Sequence, residues 1–167
     1  MAHSVHQRLL NMCRTSGRTF GELLQHFMLE RFLYRLGQSQ YRERFVLKGA
    51  LMLAVWHEAS ARFTRDIDLL GFTANDPAVV AAATREICQE EAPPDGVEFD
   101  ADTVGVSRIM ADGLYEGVRV TFVGFLGASR TRMQLDIGFG DPVVPRPAEV
   151  SYPVLLDHPC PVLLAYS

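Results

Sequence analysis

Phe63-Thr64-Arg65-Asp66-Ile67-Asp68-Leu69-Leu70-Gly71 is the stretch on which the reading of this chain turns. A strand alternates its faces with period two, so Asp66 and Asp68 share one side while Ile67 and Leu69 share the other. Two carboxylates side by side repel unless a cation, a shared proton or basic neighbours compensate them. A divalent cation takes hard oxygen donors of this kind. A bare Asp-x-Asp also recurs by chance on solvated strand edges and turns. Its company therefore carries the weight: Lys48-Gly49 precedes it, and a third aspartate, Asp136, follows in another strand-like run.

In that later run, Arg132-Met-Gln-Leu-Asp-Ile-Gly-Phe139, Met133, Leu135, Ile137 and Phe139 share one face. Arg132, Gln134, Asp136 and Gly138 share the other, so Asp136 is expected as a lone carboxylate on an otherwise buried strand. An unpaired buried charge is costly, and a neighbouring metal ion satisfies it. Upstream, Phe45-Val46-Leu47-Lys48 reads as a strand, Gly49 as a sharp turn, and Ala50 to about Glu58 as a helix. A strand, a small residue and a helix N-terminus make an anion site suited to phosphate. Arg65 either neutralises phosphate charge or pairs with an acid.

The remaining elements follow from periodicity and punctuation. Residues 4–14 are expected as a helix with Ser4 as N-cap. Thr19 caps a longer helix to about Leu36, which Gly37 ends, and residues 39–44 form a helical turn. Asp76 caps a helix to about Glu91, closed by Pro93, Pro94 and Gly96. Three strands are expected over 97–109, 117–126 and 131–139, with turns at Asp112-Gly113 and from Gly127 to Arg130. Val120 to Leu126 is apolar on both faces, as in a central strand. Asp141 reads as a turn residue of the loop to Pro147, and the stretches from Tyr152 and from Pro161 as short extended segments. His26 reads as a surface or packing residue, Trp56 as core and His57 as exposed.

The 167 residues fit one domain, read as a helical segment over 1–44 and a core over 45–167. Hydrophobic content of 48% is enough for a real core. No run of about 18 apolar residues suggests a membrane span, and the start lacks the pattern of a secretory signal. Cys13, Cys88 and Cys160 are far apart and read as reduced thiols of a cytoplasmic protein. The net charge of −4 hides a basic front half, with ten of the 16 basic residues before Asp66. Such a half either steers polyanions towards the acidic site or is an ordinary arginine-rich helical surface.

Lys-Gly before a helix, Asp-x-Asp on the next strand and a lone Asp on a later strand resemble, in that order, the nucleotidyltransferase superfamily. More closely, Phe-Val-Leu-Lys48-Gly49-Ala50-Leu, Arg62-Phe-Thr-Arg65-Asp66-Ile-Asp68-Leu and Leu135-Asp136-Ile-Gly resemble the AbiEii/AbiGii-type toxin nucleotidyltransferases. The resemblance implies an α+β fold: a polymerase-β-like palm, a mixed sheet flanked by helices. It implies catalytic, metal-holding roles for Asp66, Asp68 and Asp136 around two Mg²⁺ ions. It implies that Lys48, Gly49, Ala50 and Arg65 bind the NTP, and that NMP passes to the 3′ end of a tRNA. The partner implied is a cognate antitoxin, expected to be a winged-helix regulator, in a toxin–antitoxin or phage-defence pair. Ala50 stands where the family commonly has a second glycine. After Pro161-Val-Leu-Leu-Ala-Tyr-Ser, the family's Ala-Glu-Lys motif and later Lys-Asp pair have no match. The chain is therefore expected to be a fragment or short variant that catalyses poorly and bares the apolar side of Val162, Leu163 and Leu164. Two other readings are a metal-dependent nucleotide-sugar glycosyltransferase and a non-catalytic module.

Overall fold

Apolar alternation in the strands and one long apolar helix build a single sheet with helices packed on one face. The computed structural model describes residues 1–48, 65–111, 115–140 and 146–166. Helix α1 is Ala2–Ser16, α2 is Phe20–Gln38 and α3 is Pro77–Cys88. The strands are β1 Phe45–Lys48, β2 Asp66–Gly71, β3 Val97–Ala111, β4 Tyr115–Leu126, β5 Ser129–Gly138, β6 Ala148–Ser151 and β7 Val162–Ala165. They form one sheet in the order β3-β4-β5-β2-β1-β7-β6. β2 runs parallel to β5 and β1 parallel to β7, while the other neighbours are antiparallel. This is the expected mixed α+β architecture.

Most boundaries fall near their sequence expectations, and the exceptions have physical reasons. Thr19 caps α2 by accepting from the Glu22 N–H, and Asp76 caps α3 by accepting from the Ala78 N–H. Ser4 does not cap α1, which already begins at Ala2. Helix α3 stops at Cys88, short of Glu91. Gly37 does not end α2. It is buried inside the last turn, where a Cβ would stand 2.3 Å from the Val162 carbonyl oxygen. Its smallness lets β7 approach the helix. The actual stop is Ser39, whose Oγ donates to the Leu36 carbonyl. Strand β4 lies inside the sheet, with one face buried and the other half-buried. The expected baring of β7 does not occur. Leu163 is fully buried, Val162 and Leu164 are half-buried, and β6 pairs along the strand. The expected helix over 50–58, with Trp56 and His57, lies outside the described residues, as do Asp112-Gly113 and Asp141.

The core sits between the helices and one sheet face. Phe32 of α2 packs against Phe99 and Phe122, and Val80, Ala83 and Ile87 of α3 join the same cluster. α1 adds Val5 and Leu9 to it. Buried among these apolar groups are charges that tie distant parts of the chain to α2. Arg35 grips Asp95 with two bonds of 2.9 and 3.2 Å and also donates to the Val97 carbonyl. Glu30 accepts from the Leu155 N–H at 2.9 Å, and Arg31 donates to the Pro159 carbonyl at 2.7 Å.

Breaking a buried pair from one side leaves a charge unmatched, at about 3–5 kcal/mol. Asp95→Ala is therefore expected to lower unfolding stability by about that amount in urea titration. Asp95→Ala at wild-type stability would show that Arg35 is satisfied without it.

Two buried groups on α2 set opposed pH dependences. Burial raises the Glu30 carboxyl from 4.5 to about 7, against Arg31 and the Leu155 N–H. Burial lowers His26 from 6.5 to about 4, aided by the charge of Arg18. As pH rises from about 4.5 to 7 the unfolded chain releases the Glu30 proton first, so this contribution to stability falls. As pH rises from about 4 to 6.5 the unfolded chain loses the His26 proton that the fold excludes, so that contribution grows. Glu30→Gln removes the first effect, and its melting temperature is expected to climb with pH between about 4 and 6.5. A melting temperature of Glu30→Gln that falls over this range would overturn the assignment.

Candidate functional site

Strand register decides which side chains meet. In β2 the buried Ile67 and Leu69 pair with Leu135 and Ile137 of β5 on the helix-covered face. Alternation then sends Asp66 and Asp68 to the opposite face. There Asp68 stands beside Asp136 and Asp66 beside Gln134. On its other side Asp68 pairs with Lys48 of β1, and Asp136 pairs with Arg119 of β4. One row across four strands thus reads Lys48, Asp68, Asp136, Arg119, with Asp66 in the next row. All five side chains are half-buried.

The row has the charge order plus, minus, minus, plus. Asp136 is not the lone carboxylate that the sequence suggested. The Arg119 guanidinium holds it by a two-pronged pair, Nε to Oδ1 at 2.8 Å and Nη2 to Oδ2 at 3.1 Å. Gln134 reaches the same carboxylate with its amide at 3.5 Å. The bonds to Asp136 push the Arg119 pKa up, and the nearby charges of Asp136 and Asp66 add to that. Arg119 is the member of this charged row that sequence reasoning passed over. Its signal was a single arginine inside an apolar strand, in phase with Thr121 rather than with Val118 and Val120.

Among the five described side chains of this cluster, three carboxylates face two bases, an excess of one negative charge within that set. That oxygen-donor set suits a hard divalent cation. Among the described residues no three His, Cys, Asp or Glu side chains already stand in metal-holding proximity. The Arg119 guanidinium meanwhile occupies both oxygens of Asp136. Arg65 is exposed at the entry to β2. Gly49 and Ala50, read from sequence as the phosphate turn, lie outside the described residues, so Lys48 alone represents that motif here.

Comparison with known proteins identifies one family, through a family model. No curated protein matches the chain. Among solved structures, one described as a "putative nucleotidyltransferase from H. pylori" is similar at 15% identity with a TM-score of 0.47. The alignment covers 87% of this chain and 53% of that one, so the chain spans about half the length of that protein. A family model described as "Nucleotidyl transferase AbiEii toxin, Type IV TA system" matches residues 31–167. That match runs from within α2 through β7 and contains every residue of the charged row, so the chain belongs to the AbiEii nucleotidyl transferase toxin family.

Proposed function

We propose that this chain is the nucleotidyltransferase core of a type IV toxin, which transfers NMP from an NTP to the 3′ end of an RNA, with tRNA as the acceptor. The observation that carries the reading is the Lys48–Asp68–Asp136–Arg119 row with Asp66 beside it. In the reaction the acceptor hydroxyl oxygen forms a bond to the α-phosphorus, the bond to pyrophosphate breaks, and the hydroxyl proton leaves to solvent. Asp66, Asp68 and Asp136 are the groups that would hold two Mg²⁺ ions, which supply charge compensation to the triphosphate and the attacking oxygen. Lys48, at the far end of the row from Arg119, offers an ammonium to phosphate oxygens. Arg119 keeps the Asp136 carboxylate in one orientation. Gly49, Ala50 and Arg65 complete the nucleotide site by family resemblance. A cognate antitoxin of winged-helix type would counter this activity in a cytoplasmic phage-defence pair. No described helix is long and apolar enough to cross a membrane.

The test is transfer of label from α-labelled NTPs to total tRNA by the native protein in Mg²⁺. Asp68→Asn keeps the shape and removes the charge, so transfer is expected to fall by on the order of 10²–10³. Undiminished labelling by Asp68→Asn would sink the proposal.

Arg119 generates a separate expectation. A guanidinium bound to both oxygens of Asp136 competes with a metal ion for them. Arg119→Ala is therefore expected to lower the Mg²⁺ concentration that half-saturates the chain several-fold in calorimetry. A higher half-saturating concentration would mean that Arg119 orients Asp136 for the metal more than it competes.

A further inference from the structure

Beyond Asp136, the same face of the sheet carries a groove that the charged row does not use. Going back along β5 from Asp136, the residues on this face are Gln134, Arg132 and Arg130. Their register partners on β4 are Thr121, Val123 and Phe125. The groove, about 430 Å³, is lined by Thr103, Thr121, Phe122, Val123, Arg130 and Arg132. Its outer wall is an irregularity in β3. Asp100 pairs with Val123 and Gly105 with Thr121, so the stretch between them bulges out of the ladder. Thr103 closes over the gap, its Oγ accepting from the Val123 N–H at 2.9 Å and donating to the Asp100 carbonyl at 2.7 Å. Both arginines are exposed. Arg132 donates to the Gln134 amide oxygen at 3.2 Å, and no carboxylate pairs with either arginine among the described residues.

We infer that this groove binds the acceptor strand, with Arg130 and Arg132 on successive phosphates of a single-stranded RNA whose 3′ end reaches Asp136. The inference rests on the nucleotidyltransferase reading and names the place of the acceptor within it. Alternate residues of a strand lie about 6.8 Å apart, which puts Arg132 about 14 Å from Asp136 along β5. A chain of phosphates laid along β5 therefore meets two guanidiniums before its end enters the carboxylate row. Glu98 and Asp100 flank the groove on β3, as register partners of Phe125 and Val123. They lie two strands from β5, roughly 9.6 Å away, and repel a polyanion from the sheet edge onto the arginines. Lys48 lies on the other side of the aspartates, so the groove and the nucleotide phosphates do not compete for one cation. The half-buried Val123 gives the sugar and base faces an apolar floor within the groove.

The experiment uses a fluorescein-labelled single-stranded RNA of mixed sequence, with anisotropy read over a salt series in the absence of NTP. Arg130→Gln with Arg132→Gln is expected to weaken RNA binding roughly tenfold or more. The double variant should also flatten the slope of log K against log salt by about 1.4, for two phosphates at about 0.7 each. Calorimetric affinity for Mg²⁺–ATP should not change. Arg85→Gln, an exposed charge on α3, controls for net charge and should leave RNA binding intact. Because both groove arginines are exposed, the double variant should melt like the parent. No RNA binding by the parent chain, or an unchanged affinity and slope in the double variant, would overturn the inference. So would a loss confined to Mg²⁺–ATP, which would give the groove to the nucleotide. If RNA binding falls as expected while the native protein transfers no label, the groove stands and the nucleotidyltransferase reading fails.

Discussion

Parallel pairing of β2 with β5 is the constraint on which the rest depends, because it sets Asp68 directly beside Asp136. Adjacent strands are about 4.8 Å apart, and like charges directly opposite one another are destabilising. At an effective dielectric of about 20, two charges at roughly 5 Å repel by about 3 kcal/mol. The sheet tolerates this because its next strands bring compensation in the same row. Arg119 arrives from β4 with a forked pair on Asp136, and Lys48 arrives from β1 beside Asp68. Arg119 is partly solvated, which weakens its share. Apolar burial does the remaining holding, since Ile67, Leu69, Leu135 and Ile137 are almost wholly buried on the other face of the same strands. A pair that repels on one face is thus pinned from behind.

Helix α2 makes that backing rigid. It covers the apolar face with Phe27, Met28 and Phe32, and it fastens segments far away in sequence through charged side chains. Arg35 holds the turn before β3 through Asp95, and Glu30 and Arg31 hold the segment that leads into β7. β7 in turn pairs with β1, the strand that carries Lys48. Gly37 brings helix and β7 close enough for this chain of contacts. The position of Lys48 relative to Asp68 is accordingly set from two sides, by the β1–β2 ladder and by the braced β7.

Period-two alternation made the aspartate faces legible from sequence. Asp66 with Asp68, and Asp136 opposite Met133, Leu135 and Ile137, need only the strand repeat. Strand order was not legible, because nothing local says that β5 rather than β4 lies beside β2. Arg119 was missed for that reason: its partner is fixed by register between strands, and spacing carries no register. The buried charges of α2 were missed in the same way. Glu30, Arg31 and Arg35 look like solvated helix residues until Leu155, Pro159 and Asp95 are seen to satisfy them. Gly37 misled because glycine near a helix end usually marks a C-cap, whereas here close packing against β7 demands it. The bulge of β3 leaves no clear trace in its sequence, so the groove beside Arg130 and Arg132 was invisible too.

The carboxylate row has to be tolerable in the folded chain before any ligand arrives. A site neutralised fully by its own bases would have no call for a cation, and one without bases would strain the sheet. Among these five described side chains, three aspartates against Lys48 and Arg119 lie between these limits, with one negative charge in excess. Asp136 is the point where the compromise is visible, because the oxygens it would offer to a metal are those that Arg119 now holds. Arg119 is the more exposed member of that pair, so it is the partner that solvent can help to move. The carboxylate stays fixed on a strand buried from behind. A cation bound at this row, as proposed, would meet a carboxylate fixed from behind and a competing guanidinium that is the more exposed partner, so the fold could form first and the site fill later.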